Sequence, residues 1–402
     1  MQALVVAGVC EMSIYKERFG LRPIINAGGT MTALGGSIML PGVVEVMRRA
    51  SEEWVSVPDL LRLAGEEIGS MLDIGPSNGG SVLITSGAAG ANTLAAAAVI
   101  TGPDPDRIRS LPNSLGYPNE IVIAPGHGGI WESTFRAAGA RLIHARSEPH
   151  YSEKRQSRFL ATDVSAVADE INEQTCALAA IISWETVPDA APTIEDLVTV
   201  ARLHGLPLIV DASAQIPPLA AIKDLLDMGV TLVSVSGGKA LRGPNDTGLL
   251  VGSKPYVQVA ARHASPVVGS IGRGFKVSKE QIVGLVEAIR LYLGQDEEKL
   301  LRDMHDKCDF LVSGFEEVPF VRPEKIFPDE TGNPVPRVRV HVNEEQLGMS
   351  ISQIIELLRL GDPDIRLRNG YNGAKFLNID VMCLRDGEVD ILMTRLKELL
   401  RK

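Results

Sequence analysis

Cysteine is scarce: the chain has four, Cys10, Cys176, Cys308 and Cys383, and they lie far apart. No spacing among them suits a zinc site or a disulfide framework, so the chain predicts no metal and a reducing, cytoplasmic setting. No apolar stretch reaches the roughly 18 residues of a membrane span. Met1–Cys10 is mildly apolar but has no basic start, which argues against a signal peptide. Met12 is as good a start as Met1, because organised sequence begins near Ile14. Basic charge is also short. Lys and Arg number 40 against 50 Asp and Glu, and a net charge of −10 argues against a nucleic-acid partner. Internal repeats and low-complexity tracts are absent. What remains, 45% hydrophobic and 22% charged, is ordinary for a globular protein. At 402 residues, one large domain plus a smaller one is expected.

Residues 14–45 read as an extended N-terminal arm, within a first segment of 1–45. It holds the glycine-rich, apolar stretch Ile24-Ile25-Asn26-Ala27-Gly28-Gly29-Thr30. A large domain is expected over 46–274, where strands and helices alternate. Strands are predicted at Ser81–Thr85, Glu120–Ala124, Leu178–Ser183, Leu206–Asp211, Thr231–Ser236 and Gly248–Gly252. Helices are predicted at Gly87–Ile100, Gly129–Ala138, Ile194–His204 and Pro218–Met228. This alternation implies an α/β fold, a mostly parallel sheet covered by helices on both faces. Residues 101–119, rich in Pro, Asp and Asn, read as a long surface loop. A small C-terminal α+β domain is expected over 275–402: two helices, then a βαββα order from Arg337 to Leu400.

Lys239 is the most telling residue. It follows the buried-strand pattern Thr231–Ser236 and sits in Ser236-Gly-Gly-Lys-Ala-Leu-Arg-Gly-Pro. Two glycines let the backbone turn sharply, delivering the lysine to the carboxyl edge of the sheet, where α/β proteins place ligands. A lysine there can form a Schiff base with an aldehyde cofactor, pyridoxal 5′-phosphate (PLP). Such a site also needs an acid for the pyridine nitrogen, a phosphate cradle and a flat group against the ring.

Asp211, ending Leu208-Ile-Val-Asp, suits the acid, although a helix cap fits it equally when read alone. It lies 28 residues before Lys239, one βαβ crossover away, so both residues reach one sheet edge. Thr85-Ser86-Gly87-Ala88 follows a strand and opens a helix, as a phosphate cradle does, and equally as a plain capped helix does. His127, in Ala124-Pro-Gly-His, can stack on the ring and shuttle protons, or be a satisfied turn histidine. Ser236 and His263 are lesser candidates for phosphate and loop contacts.

Taken together these residues resemble fold-type I PLP enzymes. They are most similar to the branch related to bacterial selenocysteine synthase, especially its shorter members of the D-glucosaminate-6-phosphate ammonia-lyase kind. The carrying segments are Pro23-Ile-Ile-Asn-Ala-Gly-Gly-Thr, Thr85–Ala91, Ile209-Val-Asp-Ala-Ser-Ala-Gln, Ser236-Gly-Gly-Lys and Ser270-Ile-Gly-Arg-Gly-Phe-Lys. The resemblance runs from about residue 14 to the C-terminus. It implies a seven-stranded-type sheet, Lys239 as the Schiff-base lysine, Asp211 on the pyridine nitrogen and His127 over the ring. It puts Thr85, Ser86, Gly87, Ala88 and Ser236 around the phosphate. Arg368 matches the position that holds a substrate α-carboxylate, and Arg273 reaches a phosphate or acidic group. A surface salt bridge is the plain alternative for each arginine. Asn26 and Glu132 complete the substrate candidates. Where relatives carry a Tyr-Asp pair, this chain has Trp131-Glu132, so the substrate itself stays open.

The resemblance also implies a homodimer or higher homo-oligomer with shared active sites, a small amino-acid-like substrate, and no nucleic-acid or membrane partner. The length and acidic charge speak against a tRNA substrate. The expected reaction is α,β-elimination on a hydroxyamino acid or amino-sugar acid, phosphorylated or not, giving a keto acid and ammonia. A racemase, an aldolase or a selenocysteine-synthase-like transferase would share the first steps. A non-catalytic regulator of the same fold is the remote alternative.

Overall fold

The computed structural model describes residues 13–152, 157–183, 190–368 and 376–401. Two compact units emerge. The larger comprises Gly35–Glu297 with Glu330–Pro334, and the smaller the described residues of Met1–Leu34, Glu298–Asp329 and Val335–Lys402.

The larger unit is built on a seven-stranded sheet. Its strands lie in the order Gly80–Thr85, Gly248–Ser253, Leu232–Ser236, Leu208–Asp211, Thr175–Ile181, Glu120–Ile123, Arg141–His144. The last five run parallel. Gly248–Ser253 is antiparallel to both neighbours. This is the mostly parallel α/β sheet that the alternating pattern implied.

Side chains alternate between two cores, as the period of two requires. Val82, Ile84, Val122, Leu178, Val210, Val233 and Val235 join one apolar cluster. Leu83, Ile121, Ile123, Ala179, Ile181, Ile209 and Leu250 join the other. The second cluster is capped by helix Gly87–Thr101, which is buried along most of its length. Its alanines allow close packing on the sheet.

Two local expectations needed correction. Residues 101–119 are not all loop, because Pro105–Ser110 is helical. Asp104 caps that helix by accepting from the N–H groups of Asp106 and Arg107, at 2.8 and 3.2 Å. The single helix expected at Gly129–Ala138 is a 3₁₀ turn at Ile130–Glu132 followed by the short helix Ser133–Arg136. The Glu148–Ser152 and Ser157–Ala161 strands form an unforeseen hairpin.

The smaller unit holds a three-stranded antiparallel sheet, Val321–Ile326, Arg337–Val342 and Phe376–Ile379. Val321–Ile326 escaped the sequence reading because Pro323 interrupts it; as an edge strand it tolerates a missing N–H. The supposed arm is partly regular as well. Ile14–Phe19 is helical, and Ile24–Ala27 pairs in parallel with Asp364–Leu367, burying Ile25 and Ala27 in the unit's own core.

Candidate active site

The carboxyl edge of the larger sheet gathers most of the expected residues. Gly248 pairs with Thr85 on one side and with Ser236 on the other, so the ends of three strands form one row. One strand further on, Asp211 lies opposite Ser234. Lys239 follows this row on a turn held by backbone bonds. The Gly237 N–H donates to Thr247 O at 2.8 Å, and the Arg242 N–H to Lys239 O at 2.9 Å. A Cβ at Gly238 would lie 2.4 Å from Asn245 Cα, so only glycine fits there.

Asp211 is buried, and each of its carboxylate oxygens accepts one hydrogen bond. Asn92 Nδ2 donates to Oδ2 at 2.6 Å, and the Ser213 N–H donates to Oδ1 at 2.9 Å. Ser213 then reaches the other way: its Oγ accepts from Lys239 Nζ at 3.3 Å. Lysine and acid are thus bridged by one residue, at the sheet edge where the 28-residue crossover puts them both. Lys239 is half-buried.

Helix Gly87–Thr101 starts at this edge. Ser86 stands at its N-cap without making a side-chain cap hydrogen bond, so the first N–H groups are left to another acceptor. Gly87 has φ 68°, and among the described residues a Cβ there would meet nothing within 4 Å, so they leave space above it. Thr85 Oγ1 donates to Gly87 O at 2.9 Å and braces the turn. An uncapped helix N-terminus facing open space is a fitting seat for a phosphate. A cradle, a carboxylate and a lysine amine on one sheet edge fit an aldehyde cofactor bearing a phosphate.

His127 ends the 3₁₀ turn Pro125–His127 and is buried. Its Nε2 lies 2.7 Å from Pro192 O, and since a carbonyl only accepts, Nε2 carries the hydrogen. Burial pushes the ring's pKa down, more than the backbone groups of Pro192 and Ile181 push it up. A neutral, flat imidazole results. It suits stacking better than proton shuttling, because its N–H is already bound.

Glu132 turns inward to its own segment. Its carboxylate accepts from the Gly129 N–H at 3.0 Å, from Arg136 at 2.7 Å and from His144 Nε2 at 3.0 Å. Burial raises its pKa, but these donors outweigh burial and hold it below the usual carboxylate range. Glu132 therefore braces the segment that carries His127 and leaves no donor-free oxygen for substrate. His263 lies elsewhere. It is buried against Thr101, 2.9 Å from Oγ1, at the end of the helix that starts at Gly87. Fourteen helical steps of about 1.5 Å separate those ends by roughly 21 Å, so His263 takes no part in the cradle.

Arg273 is exposed on the larger unit and makes no side-chain hydrogen bond among the described residues. Asn26 and Arg368 belong to the smaller unit. Asn26 accepts from the Gly28 N–H at 3.0 Å and donates to Gly29 O at 2.9 Å, which folds the glycine turn. Arg368 Nε donates to Gly28 O at 3.1 Å. Asn26 thus shapes the turn on which Arg368 rests.

Two contributors went unread. Ser37 Oγ lies 2.8 Å from Lys239 O and 3.0 Å from Gly238 O, clamping the lysine turn. Asn92 was legible in principle: it is a polar residue in an otherwise alanine-rich helix. Its buried Oδ1 has no partner among the described residues, a cost of about 1–3 kcal/mol that the bond to the charged Asp211 offsets by about 1.5–3 kcal/mol.

Among the described residues no helix is long and apolar enough to cross a membrane, and no acidic, His or Cys cluster could hold a metal ion.

Residues 188–307 match the family described as SelA: L-seryl-tRNA selenium transferase. The chain is 30% identical to D-glucosaminate-6-phosphate ammonia lyase of Salmonella typhimurium over 392 residues, 96% of this chain and 98% of that protein. It is 27% identical to 5′-C-glycyluridine monooxygenase-decarboxylase of a Streptomyces species, over 96% of this chain and 91% of that one. A solved structure of D-glucosaminate-6-phosphate ammonia-lyase superposes with a TM-score of 0.76 at 28% identity, covering 96% and 98% of the two chains. A NifS-like protein shares the fold at a TM-score of 0.61 and 15% identity, over 94% of this chain and 99% of that one. Identity at this level across nearly the whole of both chains, on a shared fold-type I architecture, makes this chain an enzyme of the selenocysteine synthase-related family to which D-glucosaminate-6-phosphate ammonia lyase belongs.

Proposed function

We propose that the chain is a PLP-dependent ammonia-lyase acting by α,β-elimination on a phosphorylated amino-sugar acid, and releasing a keto acid and ammonia. The observation that carries this reading is the Lys239–Ser213–Asp211 bridge beside an uncapped helix N-terminus. The named activity of the Salmonella relative supplies the substrate class.

Bound PLP would supply an electron sink for a carbanion at the substrate Cα. Thr85, Ser86, Gly87, Ala88 and Ser236 would hold the phosphate, and Asp211 the pyridine nitrogen in its protonated form. His127 would give a neutral face for the ring. Lys239 would take the proton from Cα, and Ser213 Oγ is placed to hold its amine. The β-hydroxyl would leave as water with the proton that Lys239 returns to it, and the released enamine would tautomerise to an imine that takes up water, giving keto acid and ammonia. Arg368 is proposed for the substrate α-carboxylate and Arg273 for a phosphate or acidic group. A homo-oligomer with shared sites, in the cytoplasm, completes the proposal.

The test is a substrate screen. Purified protein with PLP is given D-glucosaminate 6-phosphate, the unphosphorylated acid, and D- and L-hydroxyamino acids. Ammonia and keto acid are followed together with substrate chirality. Release of ammonia and keto acid in equal amounts, fastest with the phosphorylated sugar acid, is expected. Racemisation without ammonia would overturn the lyase assignment.

A further inference from the structure

We infer that Asn92 is a positioning residue for Asp211, orienting its carboxylate with a neutral hydrogen bond so that the acid keeps its charge for the cofactor's ring nitrogen. The inference rests on the cofactor reading above.

Asn92 is 1% exposed, on a helix whose residues from Gly90 to Ala98 are all buried. A helix apolar all round is a packing element, and a polar side chain inside it needs a reason. The reason here is Asp211, whose Oδ2 accepts from Asn92 Nδ2 at 2.6 Å. An ionised carboxylate only accepts, so the amide must face it with nitrogen. Asn92 Oδ1 is then left without a hydrogen-bond partner among the described residues. The site gives up one polar atom to keep this one contact.

Asp211 Oδ1 takes the Ser213 N–H instead, at 2.9 Å. One donor on each oxygen fixes the rotation of the carboxylate, and each oxygen retains a lone pair for a further donor. The kind of donor matters as well. An arginine or lysine in place of Asn92 would neutralise Asp211 and weaken its hold on a protonated pyridine nitrogen. An amide orients the acid without cancelling its charge.

The experiment is a double-mutant cycle read by cofactor affinity. Apoprotein of the wild type, Asn92→Leu, Asp211→Ala and the double variant is titrated with PLP, and the melting temperature of each apoprotein is measured. Leucine has nearly the same shape as asparagine and suits the apolar surroundings. If Asn92→Leu does not fold, Asn92→Ala takes its place. The expected result is a tenfold to hundredfold weaker PLP affinity for the single Asn92 variant, the loss expected for a hydrogen bond to a charged group. In the Asp211→Ala background the same change should alter affinity less than twofold, because its target is gone. At saturating PLP, kcat should fall while KM stays within about twofold. Equal losses in both backgrounds, or none in either, would overturn the inference and leave Asn92 a packing residue. A wild type that binds no PLP would overturn the cofactor reading itself, and this inference with it.

Discussion

Gly248→Ala puts the cradle under direct mechanical load. Gly248 sits between Thr85 and Ser236 in the sheet, with its missing side chain aimed at the start of helix Gly87–Thr101. A Cβ there would lie 2.4 Å from the Gly87 carbonyl carbon and 2.7 Å from Ala88 N. Carbon atoms rest about 3.5 Å apart, so strand and helix must separate by about 1 Å. Neither yields easily, since the strand is paired on both sides and the helix is buried along its length. Overpacking of this kind costs about 1–3 kcal/mol of stability. The larger loss falls on the phosphate, which would lose one or two charge-assisted bonds to displaced N–H groups, about tenfold to hundredfold in affinity for each.

Gly252→Ala is the control. It lies on the same strand, about 14 Å away at four residues of roughly 3.4 Å each, and its Cβ would meet Thr231 O at 2.2 Å. Both variants should melt earlier than wild type. Only Gly248→Ala should bind PLP at least tenfold more weakly, as read by absorbance titration of the apoprotein. A folded Gly248→Ala protein with PLP affinity within twofold of wild type would refute the placement of the phosphate at Gly87 and Ala88.

Other outcomes follow from the same geometry. Ser37→Ala removes the donor to Gly238 O and Lys239 O, and should cost about 1 kcal/mol of stability together with a larger fall in kcat, checked by melting and steady-state kinetics. Glu132→Gln leaves Gly129, Arg136 and His144 competing for one acceptor oxygen, and should destabilise the fold by about 1–2 kcal/mol in denaturant titration. His263 has its pKa pushed down to about 4 by burial first and by Arg262 second. The unfolded chain takes up that proton near pH 6.5 and the folded one does not, so stability falls as pH drops from 6.5 towards 4, by about 2 kcal/mol at pH 5. His263→Gln should flatten that slope in melting curves at pH 5 and 7.5; an unchanged slope would refute it.

What could be read in advance was what local chemistry encodes. Leu208-Ile-Val is a continuous apolar run and Thr231–Ser236 a largely apolar one, a pattern that fits strands covered on both faces, so Asp211 and Lys239 fell on one sheet edge by topology. Helix Gly87–Thr101 declared itself by its alanines and glycines. The unread parts depend on partners distant in the chain. Ile24–Ala27 becomes a strand only because Asp364–Leu367 is there to pair with it. Ser37 looks like any loop serine until the Lys239 turn is laid against it. Glu132 drew attention as an acid near His127, yet its charge is used up by donors within a few residues and on the neighbouring strand Arg141–His144. His263 was a lesser candidate for phosphate and loop contacts, but the length of one helix separates it from the cradle.

The central claim, that Lys239 carries the cofactor, is tested most directly by trapping. Protein incubated with PLP is reduced with borohydride, digested and examined by mass spectrometry. The account predicts one phosphopyridoxyl group, on the peptide containing Lys239, and none in Lys239→Ala. A label on another lysine, or no label in folded wild-type protein, would contradict it.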